Sequence, residues 1–399
     1  MNPFDEALNQ RLEALRKQGL HRELRRVDSS QSPRIKIGGK TFLNFSSNDY
    51  LGLANHPALK EAAIKAIEKF GAGAGASRLV CGSLAPFHEL EEALAAFKGT
   101  AAALTFSTGY AAALGAITAL LGKNDIIVID KLVHASIVDA AKLSGAKLRV
   151  FDHNDLNDLE EILKWANEKN IRHLASGIQH RPQVLIVTES IFSMDGDAAP
   201  LHEIVALKEK HGAWLMVDEA HATGIFGENG RGLAEELGVS RRIEIQMGTL
   251  GKALGAGGGY ICGSRALVDF LVNRARSFIF STAPVPAAAA AATAGIWLAQ
   301  SEEGRTRRDS LWRLIKQFNS KFASAIIPII IGDEAKAVEL AAKLRDQNIF
   351  IPAIRFPAVA RGKARLRVTL TAAHSDADVS KLTHAIGDLN REISNLKSS

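Results

Sequence analysis

Cysteine is nearly absent: Cys81 and Cys262 are the two in a chain of 399 residues. Two thiols in apolar or glycine-rich surroundings build no disulfide framework, and the pattern fits a reducing cytoplasm. Aromatic residues are scarce, at 6%, and none alternates with basic residues as a base-stacking surface requires. No apolar run is long and charge-free enough to span a bilayer. The most apolar stretch, Ala283–Ala299, is mostly alanine interrupted by Pro284 and Pro286, and reads as a small-residue helix packed closely on a neighbour. The N-terminal segment lacks the basic start, apolar stretch and cleavage site of a signal peptide, so the Asn44-Phe45-Ser46 glycosylation triplet is read as chance. Gly-x-Ser-x-Gly is missing, which weakens a serine hydrolase. No Cys/His cluster has zinc spacing, so no metal site is expected.

What is present is ordinary globular composition, 47% apolar and 23% charged, enough for a large core and two or three domains. The net charge is +6 and the pI about 9.2. That balance suits nucleic acid or an anionic small substrate. The basic residues are spread along the chain, and Arg305–Arg308 reads as a solvated helix face, so neither nucleic acid nor membrane is expected as a partner.

Periodicity predicts helices over 5–26, 57–70 and 86–98, then alternating strands and helices. The strands are 101–106, 126–129, 147–151, 184–188 and 214–217, with short ones at 243–247 and 260–262. Helices fall at 109–121, from about His134, at 158–169 and from Pro200. Apolar strands alternating with helices imply an α/β fold with a mostly parallel sheet covered on both faces. The last part, with strands at 326–331, 349–352 and 366–370 and helices at 334–346 and 376–396, is a smaller α+β unit. The expected division is an N-terminal helix and arm over 1–55, a large α/β domain over 56–290 and a small C-terminal domain over 291–399.

Function in open α/β sheets gathers at the carboxyl ends of strands. Ser107-Thr108-Gly109-Tyr110 joins a strand to a helix; the N–H groups at a helix start, with Gly109 permitting close approach, can seat a phosphate. Alone, the segment reads as an ordinary strand-to-helix turn. Asp218 ends an apolar strand, where a carboxylate needs a cation or strong donor. It is either the cap of a turn or the partner of a protonated pyridine nitrogen. His221, three residues on, could reach a phenolic oxygen. Asp218-Glu219-Ala220-His221 also spells a helicase motif, but that family needs a P-loop upstream, and Gly251-Lys252 is followed by Ala253. The Gly71–Ala76 run follows a predicted helix rather than a strand, which rules against a dinucleotide fingerprint. Lys252, set among glycines in 247–259, is either part of a flexible loop or a Schiff-base lysine, with Thr249 offering a hydroxyl to a phosphate. A phosphate seat, a strand-tip Asp and a downstream lysine are together what pyridoxal phosphate requires.

The chain resembles the α-oxoamine synthases, a branch of the fold-type I pyridoxal-phosphate enzymes. The resemblance runs from about Leu24 to Leu396. It is carried by FLNFSSNDYLGL (42–53), GASRLVCGS (75–83), STGY (107–110), ESIFSMDGD (189–197), VDEAHATGIFG (217–227), GTLGKALG (248–255) and RLRVTLTAAH (365–374). It implies that Lys252 holds the cofactor and acts as base, Asp218 pairs with the ring nitrogen, His221 contacts the phenolic oxygen and His134 stacks on the ring. Ser107, Gly109, Tyr110 and Thr249 would hold the phosphate, with Ser281 and Thr282 reaching the phosphate of the other subunit in a homodimer. Glu189 and Ser193 would line the site, Arg367 would clamp the amino-acid carboxylate, and Arg25, Asn48 and Arg355 would lie near substrate or product. The segments at 77–80 and 369–374 are most similar to the branch that condenses L-alanine with a pimeloyl thioester, either pimeloyl-CoA or a pimeloyl-carrier protein. A glycine-using ligase of the same family is the alternative, and a DEAH-containing nucleic-acid-binding protein the alternative from another class.

Overall fold

The computed structural model describes residues 2–175, 182–318 and 323–397. Packing divides the chain into a larger unit, Asp49–Ser193 with Asp197–Asp309, and a smaller one, Met1–Asn48, Met194–Gly196 and Ser310–Ser399. The strands in chain order are β1 (Arg34–Ile37), β2 (Lys40–Asn44), β3 (Ala102–Phe106), β4 (Ile126–Asp130), β5 (Lys147–Phe151), β6 (Val184–Glu189) and β7 (Trp214–Asp218). They continue with β8 (Ile245–Thr249), β9 (Gly259–Gly263), β10 (Ile326–Gly332), β11 (Ile349–Phe350), β12 (Ala353–Ile354) and β13 (Ala364–Thr369).

The larger unit is built on a seven-stranded sheet in the order β3-β9-β8-β7-β6-β4-β5. β4 to β8 pair in parallel, and β9 runs antiparallel to both neighbours. Runs such as IIVID and VLIVTE are buried along their whole length, as strands covered by helices on both faces must be. Helix Gly109–Leu120 starts where Thr108 Oγ1 accepts the N–H of Ala111 at 3.0 Å. Helix Ala135–Ser144 starts at His134 and stops at Gly145, whose φ of 73° favours glycine. The alanine-rich segment forms helix Pro286–Gln300. A Cβ at Gly295 would come within 2.3 Å of the Leu254 carbonyl oxygen, so the small residues do allow close packing.

The smaller unit has two three-stranded sheets, β1-β2-β11 and β10-β13-β12. The Phe45 and His374 rings stack within it at 4.5 Å.

Several sequence expectations shift, among them strand 243–247, which is Ile245–Thr249, and helix 158–169, which is Leu156–Ala175. The first helix is Pro3–Lys17 rather than 5–26, and the chain turns at Gly19 with φ 66°. Pro200 caps helix Leu201–His211 instead of opening it. The division between units falls after Asp309, within helix Glu302–Phe318, and segment 2–48 groups with the C-terminal region. Helix Pro286–Gln300 packs on helices Pro57–Phe70 and Ala85–Lys98 and so falls in the larger unit.

Candidate active site

Parallel pairing brings the ends of β6 and β7 level, with β8 running two residues further. Glu189 stands opposite Asp218, and Asp218 opposite Met247. Both carboxyls are buried, Glu189 at 2% exposure and Asp218 at 5%. Asp218 Oδ1 accepts the N–H of Ala220 at 2.9 Å. Burial pushes its pKa above the usual carboxylate range, opposed by the charge of Lys252, the Ala220 N–H and the charge of His134. Burial, reinforced by Asp218, pushes Glu189 up to about 8. Its Oε2 accepts the N–H of Ser193 at 3.1 Å, whereas Oε1 is buried with no hydrogen-bond partner. Two adjacent buried carboxyls do not both ionise readily, and burial beside Asp218 favours the protonated form of Glu189.

Lys252 reaches this edge from the loop between β8 and β9. That loop is fixed by bonds from Leu250 N to Gly258 O at 3.0 Å and from Ala256 N to Leu250 O at 2.9 Å. Lys252 Nζ lies 2.7 Å from His221 Nε2, and His221 Nδ1 lies 2.5 Å from Tyr50 Oη. With an ammonium donating to Nε2, the imidazole proton sits on Nδ1 and is given to Tyr50. Tyr50, fully buried, was not among the sequence candidates. Its signal was available: a tyrosine in the SSNDYLGL segment that carries the resemblance.

His134 belongs to the same electrostatic field. Burial lowers its pKa, against the pull of Asp218 and with the push of Lys252. Its Nδ1 accepts the N–H of Ser136 at 3.3 Å, which leaves Nε2 as the protonated nitrogen of the neutral ring.

The helix start at Gly109 abuts β9, where a Cβ at Gly259 would stand 2.5 Å from Gly109 N. The side chains of Ser107 and Tyr110 are exposed there. Tyr110 Oη donates to Asp139 Oδ2 at 2.6 Å, so its ring turns to the neighbouring helix and its main chain stays at the helix start. Thr249 Oγ1 donates to Gly258 O at 2.9 Å and accepts from Gly251 N at 3.2 Å; its hydroxyl braces the Lys252 loop. Thr282 bridges to Ser77 beside Ser281.

In the smaller unit Arg367, on β13 and 6% exposed, donates from Nη1 to Asn48 Oδ1 at 3.1 Å and to Thr369 Oγ1 at 2.8 Å. Arg355 donates to the carbonyls of Gly19 and His21. Its pKa is held below the usual guanidinium value by burial and by the charges of Arg22 and the exposed Arg25.

A mostly parallel sheet with an Asp at one strand tip and a lysine on the loop after the next strand is the fold and site plan of the fold-type I pyridoxal-phosphate transferases. Residues 40–386 match the family of class I and II aminotransferases. The chain is 47% identical to 8-amino-7-oxononanoate synthase of Geotalea daltonii, covering 97% of this chain and 98% of that one. Among solved structures it resembles serine palmitoyltransferase from S. paucimobilis with bound PLP and myriocin (TM-score 0.89, 29% identity, 99% and 100% of the two chains). It also resembles 8-amino-7-oxononanoate synthase from Francisella tularensis (TM-score 0.73, 27% identity, 88% and 98%). The chain belongs to the class I and II aminotransferase family, in its α-oxoamine synthase branch.

Proposed function

We propose that this protein is a pyridoxal-phosphate-dependent acyltransferase of biotin biosynthesis. It joins L-alanine to a pimeloyl thioester, carried on CoA or a carrier protein, and releases the thiol and carbon dioxide to give 8-amino-7-oxononanoate. The observation that carries this reading is the meeting of Lys252 with His221 beside the strand-tip carboxyls Asp218 and Glu189. The site's chemistry fits the cofactor. A buried carboxylate at Asp218 calls for a cation, which a pyridinium N–H supplies. The bare Glu189 Oε1 calls for a hydrogen-bonding ligand atom.

When bound, the cofactor supplies a sink for the negative charge that develops on the amino acid's α-carbon. The chain's residues do the rest. Lys252 Nζ would hold the cofactor aldehyde at rest and would take the α-proton during turnover. Asp218 would keep the ring nitrogen protonated, His134 would hold the ring and His221 would serve the phenolic oxygen. The main chain at Ser107, Gly109 and Tyr110, with Thr249, seats the phosphate. Ser281 and Thr282 complete that seat across a homodimer. Ser193 and Glu189 line the cavity. Arg367 clamps the amino-acid carboxylate through a two-pronged hydrogen bond. Arg25, Asn48 and Arg355 stand near the acyl substrate or the product. Alanine's carbons, less the one lost as carbon dioxide, added to the pimeloyl chain give the oxononanoate skeleton.

Both cysteines are free thiols, which supports a cytoplasmic setting. Among the described residues no helix is long and apolar enough to cross a membrane.

Mass spectrometry of products from L-alanine and glycine, each with pimeloyl-CoA and with a pimeloyl-carrier protein, tests the reading. An oxononanoate formed from alanine is the expected result. A product formed only from glycine would contradict the substrate, and no condensation with any pair would contradict the activity.

A further inference from the structure

One histidine that the proposed chemistry does not use ties together three segments at the carboxyl end of the larger sheet. His153 follows β5. Its Nδ1 lies 3.0 Å from Asp130 Oδ1, and its Nε2 lies 2.7 Å from Asp197 Oδ2. A neutral imidazole carries one N–H, so two nitrogens that each face a carboxylate define an imidazolium. Burial works against that charge, but the hydrogen bonds to Asp130 and Asp197 prevail and raise the pKa to about 10.

Each carboxylate is anchored further. Asp130 is the fully buried last residue of β4. It also accepts the N–H groups of Leu132 at 2.7 Å and Asn154 at 3.0 Å. Asn154 sits at φ 57°, a left-handed conformation that asparagine tolerates better than most residues. Its Nδ2 donates to Asp197 Oδ2 and to the Ala198 carbonyl, both at 3.2 Å. Asp197 O accepts the N–H of Phe192 at 3.0 Å, and the Phe192 ring meets His153 edge to face at 4.4 Å. Through Asp130 the histidine holds the turn that leads to His134. Through Asp197 and Phe192 it holds the segment that runs from Glu189 to Ser193.

We propose that His153 is a positioning residue whose imidazolium, clamped between Asp130 and Asp197, fixes the two segments that carry His134 and Ser193. Its effect on turnover rests on the proposed function; its mechanical effect does not. A histidine that only filled space would stabilise the fold without selecting these segments.

Hydrogen exchange read by mass spectrometry separates the two. In His153→Ala, amides in 131–137 and 190–193 exchange about tenfold faster or more, while the rest of the sheet exchanges as in the wild type. In Asp197→Asn the rise is confined to 190–193, because Asp130 keeps its partner. In the loaded enzyme His153→Ala lowers kcat about ten- to a hundredfold, the scale of a small misplacement at a reacting centre, with a smaller change in KM. Ser193→Ala then costs less in the His153→Ala background than alone. Exchange that rises evenly over the sheet, or not at all, overturns the proposal, as does an equal cost of Ser193→Ala in both backgrounds. If His153→Ala does not fold, Asp197→Asn decides: no selective rise in 190–193 overturns it. The exchange measurement needs no turnover, so it stands apart from any failure of the proposed activity.

Discussion

Asp218 and Glu219 are consecutive, carboxylic and almost equally buried, at 5% and 1% exposure, yet their charges are answered differently. Glu219 Oε2 receives Lys98 Nζ, itself 1% exposed at the side chain. Glu219 Oε1 receives the N–H of Ala234 at 2.9 Å. Lys98 also donates to the Arg231 carbonyl, and against its burial the charge of Glu219 keeps it an ammonium. A Cβ at Gly232, where φ is 130°, would stand 2.4 Å from the Glu219 carboxylate, so main chain closes over the pair. Asp218 instead has the Ala220 N–H and the nearby charges of Lys252 and His134, and shares its strand-tip edge with a second carboxyl, Glu189. The lesson is that burial alone does not mark a chemical carboxylate. A carboxylate ion-paired and closed over by main chain, as Glu219 is, holds structure; Asp218, beside a second acid and near Lys252, is the one proposed to meet a ligand's cation.

The largest effect that sharpens the contrast is on rate. Asp218→Asn is expected to lower kcat about 10^2- to 10^3-fold, the scale of losing a preorganised electrostatic partner, with little loss in melting temperature; an unchanged kcat breaks the contrast. Glu219→Leu leaves Lys98 buried and unpaired, and is expected to cost about 3–5 kcal/mol in chemical denaturation. Adding Lys98→Met should recover most of that loss. If it does not, the pair is not the closed unit described. A smaller effect separates neutral from ionised Glu189. Glu189→Gln keeps shape and a hydrogen-bond donor and should stay within about threefold of wild-type kcat, whereas Glu189→Ala should lose about tenfold or more. Equal losses would mean that the site needs a carboxylate there.

The smallest effect is on pH. Burial raises Glu189 from 4.5 to about 8. Between those values the folded chain holds a proton that the unfolded chain has lost, so this residue's contribution to stability falls as pH rises through that window and levels above it. Denaturation midpoints of Glu189→Gln should therefore decline less over the same range. Parallel curves for the two proteins would contradict the protonated carboxyl.

How much of this was legible in the sequence follows from the range of the forces involved. The fold was readable because VLIVT and WLMVD announce strands buried on both faces, and the helix over 334–346 follows from periodicity alone. Asp218 and Lys252 were readable as candidates because strand tips and glycine-flanked lysines have recognisable local contexts. His134, Ser193 and Arg367 were reached only through the family resemblance, since each alone is an ordinary residue. Tyr50 and His153 were not reached. Tyr50 meets a histidine 171 positions away, and His153 matters because Asp130 and Asp197, from two other segments, converge on it. Neither periodicity nor a local motif encodes such a meeting. The strand β1 was also missed, because RIKI is too short and charged to show a period.

The most direct test of the account is the visible absorption of the purified protein with pyridoxal phosphate, wild type against Lys252→Ala, before and after L-alanine. The expected result is a Schiff-base band in the wild type that shifts with alanine, absent from Lys252→Ala before the amino acid is added. A wild type with no such band, or a Lys252→Ala protein whose band matches it in the absence of amino acid, would contradict the assignment of Lys252 as the residue that holds the cofactor.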